Sequence, residues 1–197
     1  MKRIIKNICV FGAASDVIPD KYKHDAYRLG ELIAKQGIGL VFGAGDSGLM
    51  GQVARGVKAH GGRVTGIIPE RLNAPGVAYP HCTELIVTET MHSRKAAMEE
   101  ASDAFIALPG GFGTLEELME VITLKQLGYI DCPVCVLNSY SYYDRMNEQF
   151  ISLINEGFAD SSNIELYYLA NSPEDALEHI LNYISKPIVR HVPLQDV

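Results

Sequence analysis

An α/β fold with a doubly wound parallel sheet, a three-layer sandwich carrying helices on both faces, is what this 197-residue sequence predicts. Two observations support that expectation. Short apolar runs of strand type alternate with segments of helical period along the whole chain, joined mostly by short turns, which is the pattern of a parallel sheet with crossover helices. Glycine-containing turns also sit between strand-like runs and helices, and right-handed crossovers bring such turns together at the carboxyl ends of the strands. Residues 1–185 read as one Rossmann-like domain, with 186–197 as a C-terminal tail.

Taken in order, Ile8 to Phe11 is a first strand, and Tyr22 to Gln36 a helix with Ala26, Leu29, Ile33 and Ala34 on its apolar side, stopped by Gly37. Ile38 to Phe42 is a second strand. The turn Gly43 to Gly48 leads into a helix carrying Met50, Val53, Ala54 and Val57, and Val64 to Ile68 is a third strand. A Pro- and Gly-containing loop, Pro69 to Pro80, is long enough to suggest a site or an interface. Leu85 to Val87, a helix over Met91 to Ser102, and a strand over Asp103 to Leu108 follow. Beyond the next helix lie a strand at Val134 to Leu137, a helix around Met146 to Asn155, a strand at Ile164 to Leu169 and a last helix from Pro173. The tail from Lys186 carries two prolines and is expected to be loose or docked on a neighbour.

Composition excludes several classes of function. A formal net charge of −7, with no basic block, argues against non-specific binding to nucleic acid or to anionic membranes. No apolar run reaches the length of a membrane span, and Lys6 and Asn7 interrupt the short apolar stretch near the start, so a cytoplasmic protein is expected. The four cysteines fit a reducing compartment. Cys132 and Cys135 have redox-motif spacing but lead into the apolar run Val134 to Leu137, so they read as buried structural thiols. The six histidines are scattered, no metal cluster is evident, and no cofactor is expected.

The stretch around which the rest is arranged is Leu108-Pro-Gly-Gly-Phe-Gly-Thr-Leu-Glu-Glu117. Pro109 ends the strand before it, and Leu115, Leu118, Met119 and Ile122 give the following helix its apolar stripe. Three glycines between a strand and a helix N-terminus let bare N–H groups approach a phosphate. The same residues also fit plain turn chemistry, because Thr114 and Glu117 match a capping box. At roughly 100° per residue, Glu117, Glu120 and Thr123 fall opposite the apolar stripe, so Glu117 is not expected in the core.

Gly43-Ala-Gly-Asp-Ser-Gly48 spells a dinucleotide fingerprint, but that fingerprint normally opens the first strand-helix unit, where this chain has Gly12-Ala-Ala-Ser15. NAD(P) binding is therefore the weaker reading. Met91, Arg94, Lys95 and Met98 share one face of the helix before the central strand. Such a stripe is commonly packing with a snorkelling charge; beside an anion-binding loop it would supply cations to a phosphorylated sugar and methionine to a base.

Met91-His-Ser-Arg-Lys95, Pro109-Gly-Gly-Phe-Gly-Thr-Leu-Glu-Glu117 and Gly48-Leu-Met-Gly51 together resemble the LONELY GUY family of cytokinin riboside 5′-monophosphate phosphoribohydrolases, over nearly the whole chain. Members of that family have often carried the label "lysine decarboxylase", which the family's chemistry does not support. The resemblance implies a homodimer that hydrolyses the N-glycosidic bond of N6-modified AMP, and often of AMP itself, to free base and ribose 5-phosphate. It implies Arg94 and Glu117 as the catalytic pair. Lys95, Gly110, Gly111, Gly113, Thr114 and Thr123 match its substrate-binding positions, and Ser15, Gly45, Met91 and Glu120 complete the expected substrate-binding set.

Two positions depart from the family pattern. Leu124 stands where a Trp is usual, and Gly76 stands where the loop after the third strand usually offers a glutamate. The expected chemistry passes through an oxocarbenium-like ribosyl cation, which needs a carboxylate at the sugar. Glu117 would stabilise it or activate water, and Arg94 would orient the ribose phosphate or Glu117 and assist the departing base. A non-catalytic nucleotide or molybdenum-cofactor binding protein of the same fold is the alternative, and a pyridoxal-phosphate decarboxylase ranks behind both.

Overall fold

The computed structural model describes residues 4–188, and within them the chain forms a single seven-stranded sheet in the order β4-β3-β2-β1-β5-β6-β7. The strands are β1 (Asn7–Phe11), β2 (Gly39–Phe42), β3 (Val64–Pro69), β4 (Glu84–Thr88), β5 (Ala104–Ala107), β6 (Val134–Leu137) and β7 (Tyr168–Ala170). Every neighbouring pair is parallel. The helices are α1 (Asp20–Lys35), α2 (Gly48–Ala59), α3 (Met91–Glu100), α4 (Phe112–Leu127), α5 (Asp144–Asn155) and α6 (Pro173–Leu181).

The period of two in the strands decides which helices cover which face. Ile8 and Val10 of β1, with Ala104 and Ile106 of β5, point to a layer built from Leu29 and Ile33 of α1, Leu49 and Val53 of α2, and Leu177 of α6. Cys9, Phe11, Phe105 and Ala107 point the other way, onto Met98 of α3 and Leu118, Val121 and Ile122 of α4. Each large side chain sealed between layers contributes about 1.5–3 kcal/mol from removal of apolar area from water. The central strands are therefore apolar throughout, as a sheet covered on both sides requires.

The chain departs from the sequence expectation in several places. The strand expected at Ile164 to Leu169 is shortened, because Ser161–Leu166 winds as a 3-10 helix and β7 starts only at Tyr168. The Asp160 carboxylate, which accepts from the Ser162 N–H, starts that turn. Helix α4 begins at Phe112 with Gly111 as N-cap, so Thr114 and Glu117 both lie inside the helix and no capping box forms there. Its buried stripe is Thr114, Leu118, Val121, Ile122 and Lys125, and Met119 is exposed. Part of the tail docks on its own chain: Lys186 pairs with Glu165, and Ile188 packs against the core. Residues 189–197 of the expected tail lie outside the described residues. No described helix is long and apolar enough to cross a membrane.

The winding reverses between β1 and β5. From β1 the chain moves outward through β2, β3 and β4, then returns through α3 to lay β5 on the other side of β1. The loops leaving β1 and β5 must therefore diverge, which opens a crevice at their carboxyl ends.

Candidate active site

Four segments converge on that crevice: the turn after β1, the turn after β2, the N-terminal half of α3, and the loop from β5 into α4. Backbone hydrogen bonds tie the turn after β1 to the β5–α4 loop and to the start of α2. The Ala13 N–H donates to Pro109 O at 3.1 Å, and the Leu49 N–H donates to Ala13 O at 2.8 Å. Between them lies an open cavity of about 410 Å³, lined by the Gly12 to Ser15 turn, Met50, Met91, Arg94, Gly111, Gly113, Thr114, Glu116 and Glu117.

Helix α4 presents its N-terminus to this cavity without a capping side chain. The first N–H groups of a helix have no partner within it, so Gly111, Phe112, Gly113 and Thr114 offer donors together with the positive end of the helix dipole. An added Cβ at Gly111 or Gly113 would meet nothing within 4 Å, so the backbone here stands open. Thr114 is buried, with its side chain packed against Gly110.

Helix α3 brings the cations. Its N-terminus is held by a reciprocal box between Thr90 and Ser93, which points Arg94 and Lys95 toward α4. The Arg94 side chain is 9% exposed and that of Glu117 11% exposed, and Nη1 of Arg94 donates to Oε1 of Glu117 at 2.8 Å. Nε of Arg94 donates to Ile67 O at 3.2 Å, which anchors the guanidinium to the end of β3. Glu117 lies on the side of α4 that carries Thr114 and Val121, and that side faces α3, so the carboxylate is buried where the spacing of the apolar residues had placed it away from the core. Burial pushes its carboxyl pKa up, and the charge and hydrogen bonds of Arg94 only partly offset this.

Lys95 occupies a different environment. Its ammonium bridges Glu116 and Glu120. Burial pulls its pKa down, but the two hydrogen-bonded carboxylates outweigh that and leave it raised. Glu99, one turn further along α3, is pushed up to about 7 by burial and then by the charge of Glu120, with Lys95 pulling the other way.

Of the residues expected at the site, Ser15, Met91, Arg94, Gly111, Gly113, Thr114 and Glu117 line the cavity together. Gly45 lies behind Met50, and Gly110 packs against Thr114 and lines the neighbouring cleft with Tyr142. Lys95 and Glu120 form the ionic rim described above. Thr123 is not brought in, because it is exposed and its hydroxyl donates to Met119 O one turn back. Met50 and Glu116 line the cavity as well, although neither is among the residues expected there from sequence. Met50 is the third residue of the Gly48-Leu-Met-Gly51 motif and could have been found from it; Glu116 depends on its pairing with Lys95, which no local pattern reveals.

The glycines of the dinucleotide-like turn have packing roles. A Cβ on Gly43 would lie 2.0 Å from Nη2 of Arg94, so that position must be bare for the guanidinium to reach Glu117. Gly48 has φ +60° and passes 2.2 Å from Ala13 O, measured from its would-be Cβ. Its N–H donates to the Asp16 carboxylate at 2.8 Å. At the N-terminus of α2, where a pyrophosphate would sit in a dinucleotide fold, the Gly48 N–H is thus already taken by this chain's own carboxylate, which counts against the NAD(P) reading. Gly76 has φ +81° in the loop that bonds back onto this turn through Asp46 N–H to Val77 O. A glutamate at Gly76 would be strained.

Among the described residues no group of three or more His, Cys, Asp or Glu is placed to hold a metal ion. Cys9, Cys132 and Cys135 are buried, and burial raises the thiol pKa of Cys9 and Cys135.

Comparison with known proteins places this geometry among related chains. A family model described as "possible lysine decarboxylase" matches residues 50–180. Two cytokinin riboside 5′-monophosphate phosphoribohydrolases of Arabidopsis thaliana are similar to the chain. One is 39% identical over 181 residues, 92% of this chain and 85% of its own length. The other is 38% identical over 185 residues, 94% of this chain and 87% of its own length. Among solved structures, a molybdenum cofactor binding protein from Rippkaea orientalis superposes with a TM-score of 0.69 at 26% identity, covering 89% of this chain and 94% of that one. A molybdenum cofactor carrier protein from Chlamydomonas reinhardtii, with a TM-score of 0.66 at 22% identity over 89% and 95% of the two chains, shares the fold.

Proposed function

The chain belongs to the LONELY GUY family, whose model carries the description "possible lysine decarboxylase", and we propose that it hydrolyses the N-glycosidic bond of adenosine 5′-monophosphate and its N6-modified forms. The products are free base and ribose 5-phosphate. The observation that carries the reading is the buried Arg94–Glu117 pair at the inner end of a cavity whose mouth is the uncapped N-terminus of α4.

The phosphate binds the N–H groups of Gly111 to Thr114, and the ribose then extends along α4 toward Glu117, one helical turn further in. As the bond from C1′ to the base nitrogen lengthens, its electron pair leaves with the base and positive charge grows on the sugar. The Glu117 carboxylate stabilises that charge and accepts a proton from the water that adds to C1′. The proton that Glu117 takes from the water is passed on to the base nitrogen that left with the electron pair, which returns Glu117 to its ionised form and leaves neutral base and ribose 5-phosphate. Arg94, held by Ile67 O, orients Glu117 and keeps part of its charge in place against burial. Met50 and Met91 offer soft apolar surface to the base. Lys95 is engaged with Glu116 and Glu120, so it acts on the substrate only by exchanging one of those carboxylates for the phosphate.

The protein acts as a homodimer, in the cytoplasm and without nucleic-acid partners. The apolar side chains left exposed at the cavity, Phe112 at 93% beside the lining glycines and Met91 at 44%, support a second copy as what covers them. The test is incubation with AMP and with N6-isopentenyl-AMP, followed by chromatography for base and ribose 5-phosphate, with adenosine as control. Base release from the nucleotides but little from adenosine is expected. Equal rates on AMP and adenosine would remove the phosphate role of the α4 N-terminus. Binding without product would favour the carrier reading instead. A monomer by light scattering at micromolar concentration would refute the dimer.

A further inference from the structure

The loop after β6 holds a pair of tyrosines whose hydroxyls reach across to the loop after β5, and the reaction outlined above makes no use of them. The Tyr143 hydroxyl donates to Leu108 O at 2.8 Å, and the Tyr142 hydroxyl donates to Gly110 O at 2.8 Å. The segment that delivers them is stiff. Tyr140 and Ser141 both have left-handed φ, +57° and +61°, a conformation costly for residues with a Cβ. Asn138 braces it from below, with Oδ1 accepting from the Tyr143 N–H at 2.7 Å and Nδ2 donating to Asp144 at 2.7 Å. The Tyr142 ring packs edge-on against Tyr22 and Tyr143. Strained backbone maintained at this cost, beside a loop of bare glycines, calls for a reason.

The reason lies in the peptide that joins Gly110 to Gly111. With a glycine on each side, this peptide is free to rotate as a plate, because neither φ nor ψ is restricted by a Cβ. All described peptide bonds are trans, so a C=O and the N–H of the same plate point in opposite directions. Tyr142 and Gly110 lie on the cleft shared with Tyr22 and Ile18, and Gly111 also lines the cavity of Glu117. Fixing the Gly110 carbonyl toward Tyr142 therefore turns the Gly111 N–H away from that cleft and toward the Glu117 cavity. Rotation of the plate would put a carbonyl oxygen where a phosphate oxygen must bind.

We infer that Tyr142 is a positioning residue for the phosphate: its hydroxyl locks the Gly110–Gly111 peptide so that the Gly111 N–H faces the substrate. This rests on the functional reading above, which assigns the phosphate to the α4 N-terminus.

Tyr142→Phe keeps the ring and removes the lock. With calorimetry on the full chain, affinity for ribose 5-phosphate is expected to fall about five- to tenfold, the worth of one hydrogen bond to an anion that is no longer pre-oriented. KM for AMP should rise in step, kcat should change less than twofold, the slow cleavage of adenosine should not move, and the melting temperature should fall by no more than about 2–4 °C, the worth of one hydrogen bond. Tyr140→Phe, which alters the outer ring of the same cluster, should leave all of these unchanged. Unchanged ribose 5-phosphate affinity in Tyr142→Phe would overturn the inference while leaving the functional reading intact. Equal losses on AMP and adenosine would also overturn it, by showing a general distortion of the cavity. A wild-type protein that neither binds ribose 5-phosphate nor cleaves AMP would overturn the functional reading, and this inference with it.

Discussion

Replacing Glu117 by glutamine removes one charge at nearly constant shape, and the surroundings of that carboxylate fix what should follow. Two effects oppose each other in stability. The ion pair with Arg94 is lost, and breaking a buried pair costs about 3–5 kcal/mol when it strands the partner charge. Here Arg94 is not stranded, because the glutamine oxygen can still accept from Nη1 and Ile67 O still accepts from Nε. On the other side, the pKa of Glu117 is raised by burial despite Arg94, so its ionised form sits less comfortably in the fold than in water. Removing that charge relieves the fold. The relief and the loss leave a difference of about 1 kcal/mol, and for a chain of this size that is a shift of about 2–4 °C in Tm, with the glutamine variant at or above wild type.

Activity should respond very differently. The oxocarbenium-like transition state loses its facing negative charge, and loss of a comparable pre-organised electrostatic contact costs on the order of 100-fold or more in kcat. AMP should still bind, since the phosphate contacts lie one turn away. The assay is base release by chromatography beside a thermal melt and a calorimetric AMP titration. A variant turning over close to wild type would refute the catalytic role of Glu117. A Tm lowered by about 10 °C or more would show that the pair serves chiefly to hold α3 and α4 together.

Further outcomes follow from the same geometry. The acid limb of kcat/KM should lie above the ordinary glutamate range of about 4.3, because the active form needs ionised Glu117 and burial raises its pKa; in the residual activity of Arg94→Ala that limb should move higher still, as the lowering influence of Arg94 is gone. Gly43→Ala puts a methyl into the guanidinium of Arg94, so turnover should drop at least about tenfold, and circular dichroism should show the fold retained. Glu99 takes up its proton near neutrality, at about 7, so the stability it lends is present below the unfolded value and lost as pH rises through 7; Glu99→Gln should flatten the fall in denaturant midpoint between about pH 4.5 and 7. Iodoacetamide should modify Cys82 first and leave Cys9, Cys132 and Cys135 unlabelled until the protein unfolds.

What could be read from the sequence was what depends on period and on local chain direction. The alternation of strand and helix gave the sheet its parallel strands, and the strand-glycine-helix junctions marked the crevice, because both are decided by residues within a few positions of each other. Of the two readings of the Gly110–Glu117 stretch, the capping box is the one that does not form, for a physical reason. Thr-x-x-Glu fits a capping box wherever it occurs, but here the helix gains a turn by starting at Phe112, and Thr114 packs into the turn below it. The box that does form uses Thr90 and Ser93, a pairing with no carboxylate. Burial of polar groups was equally hidden. Glu117 looks like a surface residue until α3 lays Arg94 against it, and Lys125 joins the buried stripe because its stem is covered while its ammonium lies near Glu165 O and over the Tyr183 ring. Thr123 shows the converse, since a hydroxyl that can bond its own helix carries no obligation to face a ligand.

On the proposed reading, the arrangement of charge also explains why three carboxylates, Glu116, Glu117 and Glu120, stand against two cations in and beside the phosphate site. A cradle of lysines and arginines would bind the phosphate more strongly, but it would oppose the positive charge that must grow on the sugar a few ångströms away, so binding gained in the ground state would be lost in the transition state. Neutral N–H dipoles of the α4 N-terminus avoid that conflict, because their field is short-ranged and directed at the phosphate. Glu116 and Glu120 occupy Lys95, while Arg94 spends its charge on Glu117 and Ile67 O. The potential near C1′ is thereby left to Glu117. On this argument Glu116→Gln, which frees part of Lys95, should tighten AMP binding and at the same time lower kcat. A variant that lost on both counts would show that the rim pair serves only to hold Lys95 in place.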